Sequence, residues 1–172
     1  KYSSSGICIF KKSTSFINTK IVSASNQDPY SGTLKQILIN SMTKQFDGNF
    51  LNVGALLSGG MDTSSNISLL VEEIGIKPIV FTACFKNQEY NELPFAKNIS
   101  KKYKLEHHKI LIEPDVINYL TDFVKLFDNP IEDRAALPQY LISLHACKLN
   151  ILSMVYGEGG DELLGYPRNL PE

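Results

Sequence analysis

The 172-residue chain is long enough for one domain with a sizeable core and too short for two full ones. Its 43% apolar and 20% charged residues match ordinary globular composition, and a net charge of −1 gives no strong field to draw nucleic acid or acidic membranes. No apolar run reaches the ~20 residues of a membrane span, and no signal-peptide pattern opens the chain.

In chain order, residues 7–10 and 17–22 are β-prone runs around Lys11-Lys12-Ser13-Thr14-Ser15, a hairpin pattern. Residues 23–32, rich in Ser, Asn, Asp, Pro and Gly, read as a linker and domain boundary. Leu34, Ile37, Leu38 and Met42 repeat at helical spacing and predict a helix ending near Phe46. Residues 51–57 form a mostly apolar run, the pattern of a strand buried on both faces. A helix is predicted over 62–74, with Ile67, Leu70, Val71 and Ile74 inward and Gly75 as terminator.

The alternation continues with a strand over 78–85 and a helix over 92–103, where Pro94 falls in the first turn. A strand is predicted over 107–112. A helix follows over 115–127, with Val116, Leu120, Phe123, Val124 and Phe127 as its apolar face. Tyr103, Tyr119, Phe123 and Phe127 read as core packing, and Lys101, Lys102 and Lys104 as a solvated helix end. After Pro130 come a helix over 137–149 and a strand over 151–156. Repeated strand–helix alternation predicts an α/β fold, a parallel sheet covered by helices on both faces. Cys8, Cys84 and Cys147 lie too far apart for a zinc site or a disulfide framework, so reduced thiols and a cytoplasmic location are expected.

Two loops carry the chemistry. The first is Ser58-Gly59-Gly60-Met61-Asp62-Thr63-Ser64, between a buried strand and a helix. Backbone N–H groups around such a turn, backed by the positive end of a helix, bind phosphate. A side chain at Gly59 or Gly60 would block that approach, while Ser58, Thr63, Ser64 and Ser65 add hydroxyls. Asp62 would repel a bare anion, so it implies a Mg²⁺ ion between carboxylate and phosphate. Neither G-x-x-x-x-G-K-[ST] nor G-x-G-x-x-G is present here. The bland alternative is a tight turn with Asp62 as N-cap.

The second loop is Gly157-Glu158-Gly159-Gly160-Asp161-Glu162, after the fourth strand. Ligands of open α/β sheets bind at the carboxyl ends of strands, so this loop is expected to face the first. Asp161 is then placed for the same Mg²⁺, and Glu158 for handling a proton at the reacting centre. His107 and His108 find no further ligands in the sequence to make a metal site.

Together these segments resemble the synthetase domain of glutamine-hydrolysing asparagine synthetases. The similarity runs over residues 34–166 and includes Leu56-Leu57, both loops, Tyr90-Asn91-Glu92, Glu106-His107-His108 and Asp128-Asn129-Pro130. The resemblance implies a PP-loop, adenine nucleotide alpha hydrolase-like three-layer sandwich. It also implies a two-step ligation: a carboxylate, aspartate in the namesake enzymes, is activated by ATP as an acyl-adenylate with pyrophosphate release. Ammonia from glutamine then displaces AMP.

Residues 58–64 match the family's pyrophosphate loop, Asp62 and Asp161 its Mg²⁺ ligands, Leu57, Ala83, Tyr156 and Gly157 its nucleotide contacts, and Glu158 a glutamate implicated in acyl-adenylate chemistry. Two departures stand out. Relatives usually carry Asp-Glu at Asn91-Glu92 and Asp-Glu-Pro at Asp128-Asn129-Pro130. Each loses a carboxylate, which favours as alternatives a ligase for another carboxylate, closing a lactam or amidating a peptide or sugar. A nucleotide-binding module without catalysis is a third reading. The chain opens on Lys1 and closes on Leu170-Pro171-Glu172, and is expected to be a piece of a longer protein. Residues 1–30 would then be the tail of an upstream glutaminase domain plus linker, and 31–172 a synthetase domain whose catalytic lysine lies further on. The expected partners are small molecules and that glutaminase domain, with a homodimer as the alternative to a monomer.

Overall fold

The computed structural model describes residues 31–46, 52–85, 92–127, 131 and 133–160. The hairpin expected over 7–22 lies outside them. At the end of the expected linker, Ser31 and Gly32 already belong to a helix.

Four strands among the described residues form one parallel sheet: β1 (Val53–Leu56), β2 (Ile79–Phe85), β3 (His107–Ile112) and β4 (Ser153–Val155), in the order β3-β2-β1-β4. Their in-register pairs include Leu56 with Phe81, Ala55 with Val155 and Phe81 with His108. Five α-helices accompany them among the described residues: α1 (Ser31–Gln45), α2 (Met61–Ser68), α3 (Leu93–Tyr103), α4 (Leu120–Val124) and α5 (Ala136–Lys148).

Alternation along the strands sorts the core onto two faces, because successive side chains point opposite ways. Val53, Ala55, Leu57 and Val80 join Met42 of α1 and Phe46 just after it, Ile67 of α2 and Ala96 of α3 on one face. Phe81 joins Ile142 and Ala146 of α5 on the other, with Leu56, Ile79, Ala83 and Ile110 beside them. Helices thus cover both faces of a parallel sheet, the expected three-layer arrangement.

Two helices differ in detail from the sequence reading. The helix after β1 begins at Met61, and its second half, Leu69–Ile74, is a π-helix before Gly75 ends it in the left-handed conformation. Ile67 and Leu70 are fully buried, with Val71 and Ile74 against the same core. The segment expected as one helix over 115–127 is instead a 3-10 helix, Pro114–Tyr119, followed by the short α4. Among the described side chains of its expected apolar face, only Phe123 is buried, while Val124 is 62% and Phe127 44% exposed. Tyr119 is also exposed, against its reading as core. Val, Ile, Asn and Tyr near the start of this segment are poor α-formers, and little burial compensates.

Candidate functional site

The chain runs from β1 to β2 to β3 in one direction across the sheet, while β4 lies on the other side of β1. The order therefore reverses between β1 and β4. Ligands of open parallel sheets bind outside the carboxyl ends of the strands at such a reversal. The loops leaving those two strands are the two singled out in the sequence.

The first loop is held by its own hydroxyls. Ser58 N–H donates to Thr63 Oγ1 at 3.2 Å, Gly60 N–H donates to Ser58 Oγ at 3.1 Å, and the two hydroxyls lie 2.9 Å apart. Gly60 is the N-cap of α2 and no side chain caps the helix. Asp62 is thus in the first turn rather than at the cap. The first-turn N–H groups have no intrahelical acceptors, which leaves a positive, donor-rich rim suited to an anion. Ser64 Oγ is buried and, among the described residues, has no hydrogen-bond partner. A buried hydroxyl without a partner is costly unless a ligand meets it.

Gly59 has φ of +89°. A Cβ there would come within 2.4 Å of Phe95 Cβ and 2.7 Å of the Ala96 nitrogen. The loop therefore rests on the first turn of α3, just after Glu92, whose carbonyl accepts the N–H groups of Phe95 and Ala96. Burial pushes the Glu92 carboxyl above its usual range.

The second loop lies against the first. A Cβ on Gly157 would sit 3.1 Å from Thr63 Cγ2, and one on Gly160 would sit 2.8 Å from Asp62 Cγ. The Tyr156 carbonyl accepts Asn66 Nδ2–H at 3.0 Å, tying β4 to α2. Tyr156 Oη lies 2.8 Å from Ser143 Oγ, and burial raises the phenol's pKa. Gln139 Nε2 donates to Glu158 Oε1 at 2.5 Å.

Ser58, Gly59, Gly60, Asp62, Thr63, Gly157 and Gly160 are thus brought together. Leu57 is fully buried below the loop, and Ala83 stands near the carboxyl end of β2 on the α5 side. Asp161, Glu162, Asn91, Asp128 and Asn129 lie outside the described residues. Asn66, Gln139 and Ser143 escaped the sequence reading. Asn66 sits four residues after Asp62, and Ser143 four after Gln139, a spacing that puts each pair on one helix face.

No group of three or more His, Cys, Asp or Glu side chains among the described residues is arranged for a metal ion. His108 pairs with Glu106 at 2.7 Å and stacks on Phe81. Asp62, half-exposed and with no side-chain hydrogen bond among the described residues, fits a different arrangement. Mg²⁺ is commonly held by one or two carboxylates together with substrate phosphates.

The family model for asparagine synthase matches residues 33–172. "Asparagine synthetase [glutamine-hydrolyzing] 1" of Bacillus subtilis is 34% identical over 114 residues, 66% of this chain and 18% of that protein. A putative asparagine synthetase [glutamine-hydrolyzing] 2 of Methanocaldococcus jannaschii is 30% identical over 115 residues, 66% of this chain and 22% of its own length. The chain therefore spans only a small part of these relatives.

Among solved structures, the glutamine-dependent NAD+ synthetase of Acinetobacter baumannii in complex with ADP matches with a TM-score of 0.58 at 17% identity. The match covers 84% of this chain and 28% of that one. The NMN synthetase of Francisella tularensis matches at 0.53 and 17%, covering 76% and 56%. These likenesses place the fold in the PP-loop class. By its sequence and its sheet, the chain belongs to the asparagine synthase family.

Proposed function

We propose that this chain is the nucleotide-binding part of an ATP-dependent amide ligase of asparagine synthetase type, which activates a carboxylate as an acyl-adenylate for amidation by glutamine-derived ammonia. The observation that carries this reading is the seating of Gly157 and Gly160 on Thr63 and Asp62, which brings two remote loops to one rim. In this reading the α2 N-terminus and the hydroxyls of Ser58, Thr63 and Ser64 hold the β- and γ-phosphates that depart as pyrophosphate. Leu57, Ala83, Tyr156 and Gly157 border the rest of the nucleotide.

Asp62, with Asp161 from the second loop, would hold Mg²⁺, which stabilises charge developing on the phosphates. Glu158, oriented by Gln139, is the group to accept or return a proton as ammonia attacks the acyl carbon. Burial around Tyr156, whose hydroxyl meets Ser143, would help keep water from an acyl-adenylate.

Calorimetry of ATP–Mg²⁺ with the full chain tests the site. Asp62→Ala is expected to abolish measurable heat, and undiminished binding by that variant would sink the reading.

The replacement of family carboxylates by Asn91 and Asn129 favours a second reading, a ligase of the same mechanism for a carboxylate other than aspartate. Pyrophosphate release stimulated by aspartate above other carboxylic acids would count against it.

A further inference from the structure

A line of buried and half-buried polar groups runs beneath the phosphate loop, outside the roles assigned above. Thr82 on β2 is 1% exposed. Its Oγ1 lies 2.5 Å from the Leu57 carbonyl oxygen and 2.8 Å from Nε2 of His107 on β3. The other ring nitrogen, Nδ1, lies 3.1 Å from Oγ of Ser100 on α3, a hydroxyl also 3.1 Å from the Lys97 carbonyl.

Counting protons fixes the direction of each bond. A carbonyl only accepts, so the single Thr82 proton goes to Leu57. Thr82 Oγ1 must then accept from His107, and Nε2 carries the proton. In the neutral ring Nδ1 is bare, so Ser100 turns its proton to Nδ1 and away from Lys97. Donation runs one way, from Ser100 through His107 and Thr82 to Leu57. Burial, with Lys109 and His108 on β3 and Lys97 on α3, disfavours a second proton on the ring. Were one added at Nδ1, only the Ser100 link would reverse.

The end point matters because Leu57 immediately precedes the loop. In a trans peptide the C=O and the following N–H lie in one plane and point opposite ways. Pinning the Leu57 carbonyl on Thr82 therefore turns the Ser58 N–H toward Thr63 Oγ1, which it meets at 3.2 Å. Thr63 Oγ1 in turn lies 2.9 Å from Ser58 Oγ, the acceptor for Gly60 N–H.

We propose that His107, held as the Nε2-protonated imidazole, is a positioning residue for the phosphate-binding loop, acting through Thr82 on the peptide between Leu57 and Ser58. The inference rests on the nucleotide reading of that loop and goes beyond it, since neither Thr82 nor His107 reaches the rim.

Two measurements on the full chain test it. Long-range ¹H–¹⁵N correlation of the histidine rings at neutral pH is expected to show Nε2 protonated and Nδ1 bare for His107. The opposite tautomer overturns the proposal whatever the variants do. Calorimetry of ATP–Mg²⁺ is then compared among wild type, Thr82→Val and Thr82→Ser. Loss of one hydrogen bond at the loop is expected to weaken binding about five- to tenfold in Thr82→Val. Thr82→Ser, which returns the hydroxyl, restores it, whereas a purely packing role for the Thr82 methyl would leave Ser defective.

Wild-type affinity in a folded Thr82→Val overturns the proposal while leaving the nucleotide site intact. Wild type that binds no ATP overturns the site itself and the proposal with it.

Discussion

Gly59 and Gly160 both touch the loop, yet adding a methyl group to each has different consequences. At Gly59 the backbone is left-handed, and the new carbon would press on Phe95 Cβ and the Ala96 backbone. Neither can rotate away. Gly59→Ala is therefore expected to lower unfolding free energy by about 2 kcal/mol. At Gly160 the nearest atoms are the carboxylate end of Asp62, which can swing aside. Gly160→Ala is expected to keep nearly wild-type stability and to weaken ATP–Mg²⁺ binding by displacing that carboxylate. Denaturant melts paired with calorimetry separate the two, and equal stability losses would contradict the assignment. The sequence showed that these glycines belong to loops at strand ends, because Ser-Gly-Gly and Gly-Glu-Gly-Gly punctuate apolar runs. It did not show that the loops touch. That depends on β4 pairing with β1, which no local pattern encodes.

Legibility varied at the level of elements with how firmly packing fixes each one. The strand over His107–Ile112 matches its expected bounds, because the apolar Ile110-Leu111-Ile112 sits in the short stretch between the helix pattern ending at Tyr103 and the break at Pro114. The helix after β1 was read in extent but not in type. Ile67, Leu70, Val71 and Ile74 face the core, and their spacing alone does not reveal the widened turns of Leu69–Ile74. Over Pro114–Val124 the periodicity misled, since helical spacing of apolar residues does not ensure that anything buries them.

β3 and α5 also set an acid response. His107 is held below the ordinary value of 6.5 by burial and then by Lys109, His108 and Lys97, and His145 by burial and then by His108 and Lys148. Between those depressed values and 6.5 the unfolded chain binds more protons than the native one, so stability is lost as pH falls through this window. Melting temperature is expected to decline from pH 7 toward pH 5, with a shallower decline in His107→Gln. Identical slopes would remove His107 from the account.

For the molecule as a whole, the fold class followed from alternation alone, and the helices on both faces are where that predicts. The order of strands did not follow. A chain reading β1 to β4 is compatible with several parallel orders, and only the structure places β1 between β2 and β4. That placement makes the site a product of residues from distant parts of the chain, which is why Gly157-Glu158-Gly159-Gly160 reads alone as a plain glycine-rich turn and gains meaning only beside the Ser58–Ser64 loop.

The pairing of Val53 with Ser153 also has a consequence for biosynthesis. The Ser58–Ser64 loop leaves the ribosome well before the strand that closes its flank. Until then β1 presents an unpaired edge, a template for stray association. Ribosome-bound chains arrested before Ser153 are expected not to be retained on immobilised ATP, whereas chains arrested well beyond Gly160 are. On that outcome nucleotide cannot assist folding before β4 emerges, and β1 keeps its bare edge until then.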